Sequence, residues 1–146
     1  MHSTLELSEL HDHMGRLFMA GMPGPRLDSG TISLIRDRGL GGVILFKRNI
    51  VDPLQVAVLC NDLQETALKY HGVPLFLAVD QEGGRVARLG EPFTCFPGNS
   101  AIGDGPGSQE MAAAFGRVTA MEMRLVGLNM NMAPVLDVPT GPVDQH

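Results

Sequence analysis

Residues 74–89 read PLFLAVDQEGGRVARL. The first six positions do not alternate apolar with polar, so a strand laid over them has both faces covered, as in doubly covered parallel sheets and barrels. GVILF, Gly42 to Phe46, has the same character. With Leu17 to Ala20 and Met130 to Leu136 there are four short apolar runs, and the segments between them have helical spacing. That is the βαβα order of a parallel sheet. The runs are expected to pair in sequence order, with Leu75 to Asp80 third and Asp80 at its carboxyl end.

Local punctuation supports three helices. Asp52-Pro53-Leu54-Gln55 has the form of a capping box, with Asp52 at N-cap, Pro53 at N1 and Gln55 at N3, and the helix runs on through Leu54, Val58, Leu59, Leu63 and Ala67 to a stop at Gly72. A second starts near Ser108, follows Met111, Phe115, Val118, Met121 and Leu125, and ends at Gly127; Gln109 and Glu110 suit its positive end. A third, Thr31 to Arg38, stops at Gly39. The methionines at helical spacing between Met111 and Met123 read as core filling.

Composition bounds the function. The 146 residues suit one domain, and 44% hydrophobic content is enough for a core. A formal charge of −5 with no basic block argues against nucleic acid as a partner. The opening segment lacks a basic region followed by an apolar core, and nowhere do 18 apolar residues run together, so the expectation is a protein off the membrane and not exported. Cys60 and Cys95 are too few for a disulfide framework, which suits a reducing cytoplasm. His11 and His13 have no third ligand at a matching spacing, so no metal site is expected. Gly103 to Gly107 lacks a phosphate-binding order of glycines, and no cofactor is called for.

The second half of the opening stretch carries the chemistry. Asp80 ends the third strand, Gln81 to Gly84 are read as a turn, and Arg85 and Arg88 follow in the loop. A carboxylate at the carboxyl end of such a strand points into the mouth of the sheet, where α/β folds keep their sites. Asp accepting from two adjacent hydroxyls holds a neutral, hydroxyl-rich ligand well, and Gly83-Gly84 lets backbone approach closely or take positive φ. Equally open is a structural reading, in which Asp80 caps the next segment and Glu82 pairs with Arg85. Lys47 and Arg48, at the end of the second strand, either touch substrate or form an ion pair with Asp80 or Asp137. Asp137, ending the fourth strand, is a minor site candidate or a structural hydrogen-bonding group.

DQEGGRVARL followed by PFTCFPG, preceded by LGGVILFKRNIVDP and followed by NMNMAPVLDV, resembles the N-terminal part of glycoside hydrolase family 3, in particular its bacterial β-N-acetylglucosaminidase branch. The motifs cover Gly15 to Val138. The resemblance implies a TIM-like (β/α)8 barrel, a retaining mechanism through a covalent glycosyl-enzyme, and removal of terminal N-acetylglucosamine from cell-wall sugars. It implies that Asp80 binds hydroxyls of the non-reducing-end sugar and that Arg85, in the same motif, organises the loop. Glu82 then reads as a structural partner, since a carboxyl two residues from Asp80 does not easily flank the same bond.

The family pattern continues after APVLDV with a substrate-binding arginine, a Lys-His pair, a His-Asp acid/base dyad and the nucleophilic aspartate, none of which occurs in residues 1–146. A full barrel takes ~250 residues, so about four βα units, half a barrel, are expected here, with no catalytic group of its own. A β-glucosidase of the same family and a non-catalytic sugar-binding half-barrel are the alternatives; a KHFPGHG-like stretch downstream in the reading frame would mark the enzyme. Open edges at the first and fourth strands, with Ile44, Phe46, Leu77 and Val79 expected as the inward layer, point to a homo-oligomer unless Leu5 to Met14 covers them.

Overall fold

The computed structural model describes residues 13–137. His11 and nearly all of the expected lid, Leu5 to Met14, lie outside that range. In chain order the strands and helices are β1 (Met19–Gly21), α1 (Ser29–Arg38), β2 (Gly42–Leu45), α2 (Pro53–His71), β3 (Phe76–Val79), β4 (Gln81–Gly83), β5 (Val86–Ala87), α3 (Asn99–Gly103), α4 (Ser108–Leu125) and β6 (Met130–Asn131). A four-stranded sheet runs β1-β2-β3-β6, every neighbouring pair parallel, and β4 and β5 form a separate antiparallel hairpin. The βα order and the strand order are those expected from the apolar runs.

The outer strands are shorter than their apolar runs. Before β1 the chain makes a 3-10 turn over Met14–Leu17, leaving Leu17 and Phe18 exposed. At the other edge Pro134 has no N–H to give a ladder, and only Met130 and Asn131 pair. Two side chains extend this short strand. Asn129 accepts from Leu77 N at 2.7 Å and donates to Leu75 O at 2.9 Å, while Asn131 accepts from Gln81 N at 3.0 Å and donates to Gln81 O at 3.1 Å. Each amide does the work of a strand peptide group, so the edge is held for a longer stretch than its backbone alone would hold.

The caps follow the local signals. Asp52 accepts from Gln55 N at 2.8 Å, with Pro53 at N1, and Gly72 ends α2 in the left-handed region. The capping box is displaced by one residue: Gln55 Oε1 accepts from Val51 N at 2.9 Å, and its Nε2 donates to Pro25 O and Asn49 O, tying the helix to the loop after β1. In α1 the helix starts two residues before the expected Thr31, because Asp28 caps it through Gly30 N and Thr31 N.

The core lies between the sheet and α2. Val43 pairs with Leu77 and Leu45 with Val79; all four are buried and join Val56, Leu59, Cys60, Leu63 and Ala67 in one cluster. The expected inward layer therefore mixed two faces. Leu77 and Val79 share the face of Val43 and Leu45, and Ile44 stands opposite Ala78 on the other. The apolar phases of two helices are also corrected. Leu54 and Val58 are exposed, Leu54 at 75%, because Val56 takes the core-facing position in α2. In α4 Met111, Met121 and Leu125 are exposed, and it is Met123 that fills the core with Thr119 beside it.

Burial pushes the Cys60 thiol up to about 12, whereas Cys95 is exposed. A thiol-specific reagent at pH 8 is expected to label one cysteine rapidly in the folded chain and both in denaturant; two fast-reacting thiols in the native state would refute this packing of α2. Thr31 Oγ1, donating to Asp28 at 2.6 Å, holds that carboxyl below the usual carboxylate range. A folded-state value below the unfolded one stabilises above pH ~3.9 and fades as pH falls through the folded value. Asp28→Ala should cost about 0.5–2 kcal/mol in urea melts at pH 7 and progressively less as pH falls below 4.

Candidate functional site

Asp80 follows directly on β3, its side chain 20% exposed. The chain then enters the hairpin. Gly83 and Gly84 both take positive φ, 87° and 58°, and the turn proper lies at Gly84-Arg85, one step later than expected, because Gln81 to Gly83 are strand. A Cβ on Gly83 would lie 2.5 Å from Pro97 O, and one on Gly84 2.9 Å from Gly98 N. The glycine pair is therefore where the hairpin presses on the loop after Phe96, and Gly84 N donates to Phe96 O at 2.9 Å.

That loop is itself pinned to α4. Glu122 accepts from the backbone N and the hydroxyl of Thr94, and the Phe96 ring meets Phe115 edge-on with centroids 5.2 Å apart.

The hairpin returns Arg88 to Asp80. Gln81 pairs with Ala87, so residues 80 and 88 fall opposite each other, and Arg88 Nη2 donates to Asp80 Oδ2 at 3.1 Å. The contact is single. Arg88 Nε, on the same edge of the guanidinium, is buried and has no hydrogen-bond partner among the described residues. The exposed Arg36, by contrast, grips Asp37 with both Nε and Nη2. Asp80 Oδ1 accepts no hydrogen bond from the described residues, and with both side chains partly exposed the pair presents an acceptor and a charged donor side by side. Adjacent sugar hydroxyls need that combination.

The other candidates stand elsewhere. Arg85 is exposed at the hairpin tip, and neither it nor Glu82 takes part in an ion pair among the described residues, so the Glu82–Arg85 pairing is not formed. Arg48 donates to Met22 O at 3.0 Å and lies over the Phe46 ring; it pairs with neither Asp80 nor Asp137. Lys47 is exposed in a 3-10 turn after β2, with its ammonium beside Gly90 on the segment that follows Arg88. Asp137 is exposed at the end of the described chain.

Arg88 is the residue that reading along the sequence left out of the site. Its signal was in the glycine pair: once Gly83-Gly84 closes a hairpin, Asp80 and Arg88 become opposite residues. No group of three or more His, Cys, Asp or Glu able to hold a metal occurs among the described residues.

A separate cavity of about 830 Å³ runs along α4 and the free edge of β6, lined by Ile102, Phe115, Thr119, Met123, Met130 and Pro134 among others. Neither Asp80 nor Arg88 lines it. Its lining is largely apolar, and its place is the sheet edge where a further strand of a barrel would pair.

A parallel βα sheet with a polar pair at the carboxyl end of a strand is the arrangement that TIM-type barrels share with doubly wound sheets, and the family match decides for the barrel. Residues 9–145 match the glycosyl hydrolase family 3 N terminal domain, and the chain belongs to that family. Beta-hexosaminidase of Pseudomonas aeruginosa is 41% identical over 120 residues, covering 82% of this chain and 35% of that protein. Beta-hexosaminidase of Xylella fastidiosa is 35% identical over 130 residues, 86% of this chain and 38% of its own length. This chain thus spans little more than a third of these relatives.

Among solved structures, a family 3 beta-N-acetylglucosaminidase from Paenibacillus superposes with a TM-score of 0.80 at 39% identity, covering 90% of this chain and 24% of that one. NagZ from Neisseria gonorrhoeae, in complex with N-trifluoroacetyl-D-glucosamine, superposes with a TM-score of 0.72 at 35% identity, covering 82% and 35%.

Gly83→Ala is expected to destabilise the chain by about 1–3 kcal/mol in urea melts, through strain at positive φ and the clash with Pro97. Gly103→Ala, where a Cβ meets nothing within 4 Å, should cost far less. Equal effects would mean that the hairpin does not rest on the Phe96–Gly98 loop.

Proposed function

We propose that this chain is the sugar-binding N-terminal portion of a retaining β-N-acetylhexosaminidase, and that Asp80 and Arg88 hold the non-reducing-end sugar. The single observation that carries the reading is the Asp80–Arg88 pair at the carboxyl end of β3, with one carboxylate oxygen left without a partner among the described residues. Arg85 would act as the outer edge of the same loop, and Lys47, beside Gly90, is the secondary candidate nearest to it. Arg48, engaged by Met22 O, and Asp137, exposed at the end of the described chain and in no ion pair among the described residues, are weaker candidates.

The sugar class is supported by relatives named beta-hexosaminidase and by the glucosamine derivative bound in the gonococcal relative. Its source would be cell-wall turnover, handled in the cytoplasm, a compartment that suits the two free cysteines. The described residues contain no helix long and apolar enough to cross a membrane.

Hydrolysis with retention needs a nucleophile and an acid/base about 5–5.5 Å apart on either side of the bond. Asp80 is engaged by Arg88, and Glu82 follows it on the hairpin. This chain on its own is therefore expected to bind N-acetylglucosamine and to leave an aryl N-acetylglucosaminide intact. Asp80→Asn should weaken binding at least about tenfold, since a hydrogen bond to a charged group contributes roughly 1.5–3 kcal/mol. Glucose binding as tightly as N-acetylglucosamine in the same titration would favour the β-glucosidase reading. Turnover by purified chain that Asp80→Asn abolishes would place catalytic groups here and defeat the proposal.

The edges of β1 and β6, unpaired among the described residues, and the apolar cavity beside β6 support assembly with a second copy. Light scattering at micromolar concentration is expected to give a dimer mass; a monomer without binding of an apolar dye would overturn that part.

A further inference from the structure

We infer that the side-chain amides of Asn131 and Gln81 act in series as positioning groups that set Arg88 against Asp80, an inference that rests on the reading of that pair as a sugar site. Asn131 spends both ends of its amide on the backbone N and O of Gln81. Gln81, 5% exposed, turns both ends of its own amide to the returning strand. Its Oε1 accepts from Arg88 N at 2.9 Å and from Leu89 N at 3.0 Å, and its Nε2 donates to Leu89 O at 3.0 Å. Strand β6 is thereby connected to the Cα of Arg88 through two carboxamides and no other side chain.

Two observations separate positioning from simple filling. The first is that Arg88 Nε, buried, has no hydrogen-bond partner among the described residues. A buried donor without an acceptor is costly, so the guanidinium is not where its own hydrogen bonds would put it; the backbone at Arg88-Leu89 dictates the place. The second is the irregular register between Gln81 and Gly83. A hairpin with a bulge can slip, and a slip of one residue turns every side chain to the opposite face. An oxygen that catches two consecutive N–H groups selects one register, which an apolar side chain at position 81 would not do. A buried glutamine is tolerated because its amide oxygen accepts two hydrogen bonds and its amide nitrogen donates one within the hairpin.

The test is a double-mutant cycle on the whole chain, read by titration with N-acetylglucosamine and by urea melts. Asn131→Ala and Gln81→Leu are each made with Arg88 intact and with Arg88→Ala. Positioning predicts that each weakens binding by about tenfold with Arg88 present and by less than about twofold without it, a coupling typical of groups in one network. Gln81→Met, which keeps the length of the side chain but neither the acceptor nor the donor, should lose as much affinity as Gln81→Leu. Equal losses in the two backgrounds would overturn the inference and leave the amides a role in folding alone.

Should Gln81→Leu fail to fold, Asn131→Ala carries the cycle. If the wild-type chain does not bind the sugar, or Arg88→Ala leaves binding unchanged, the sugar-site reading fails by itself. Hydrogen exchange then decides the inference: the amides of Arg88 and Leu89 are expected to be protected in the wild type and to lose at least about tenfold protection in Asn131→Ala. Unaltered protection would refute coupling through Gln81.

Discussion

Val43 against Leu77 and Leu45 against Val79, in register on one face of the β2–β3 pair and packed with Val56, Leu59 and Leu63 of α2, form the seam from which the other elements hang. Full burial of each such side chain contributes about 1.5–3 kcal/mol before conformational entropy is subtracted, so this cluster outweighs any single polar contact in the molecule. It also fixes orientation. With alternate residues of β2 and β3 committed to α2, the residue after Val79 has to emerge at the carboxyl end of the sheet. Asp80 is that residue.

From there the site is assembled by backbone constraints more than by attraction between charges. A partly exposed ion pair contributes at most about 1 kcal/mol, too little to place Arg88 by itself, and the guanidinium leaves Nε without a partner among the described residues. What places it is the hairpin: the close approach of Gly83 and Gly84 to Pro97 and Gly98, the Glu122–Thr94 and Phe96–Phe115 contacts that hold that loop on α4, and the amide of Gln81 on the returning strand. The stretch from Asp80 to Arg88 both locks two elements together and presents two charged groups.

The outer edge of β6, unpaired among the described residues, shapes the remaining surface. Two backbone-paired residues are a weak edge, and the amides of Asn129 and Asn131 reinforce it at either end. Beyond it lies an apolar cavity against α4, and much of that helix's apolar surface is left uncovered, as Leu125 is at 79%. Four parallel strands are half of the eight in a TIM-type barrel, and the chain covers 35% and 38% of the length of the two curated relatives.

Sequence alone determined what depends on neighbours along the chain. Unbroken apolar runs implied strands covered on both faces, and Asp52-Pro53 and the glycines at 39 and 72 marked helix ends, because caps are satisfied within a few residues. The order of motifs identified the family. Tertiary structure decided what depends on distant partners. Which stripe of α2 and α4 is buried was settled by the sheet and the neighbouring helices, so Val56 went inside while Leu54 and Val58 stayed out. Arg88, and not Arg85, met Asp80 because a hairpin turn at Gly84-Arg85 is dictated by contact with a loop twelve or more residues further on. Spacing along the chain carries no information about that contact; only the packing of the loop on α4 does.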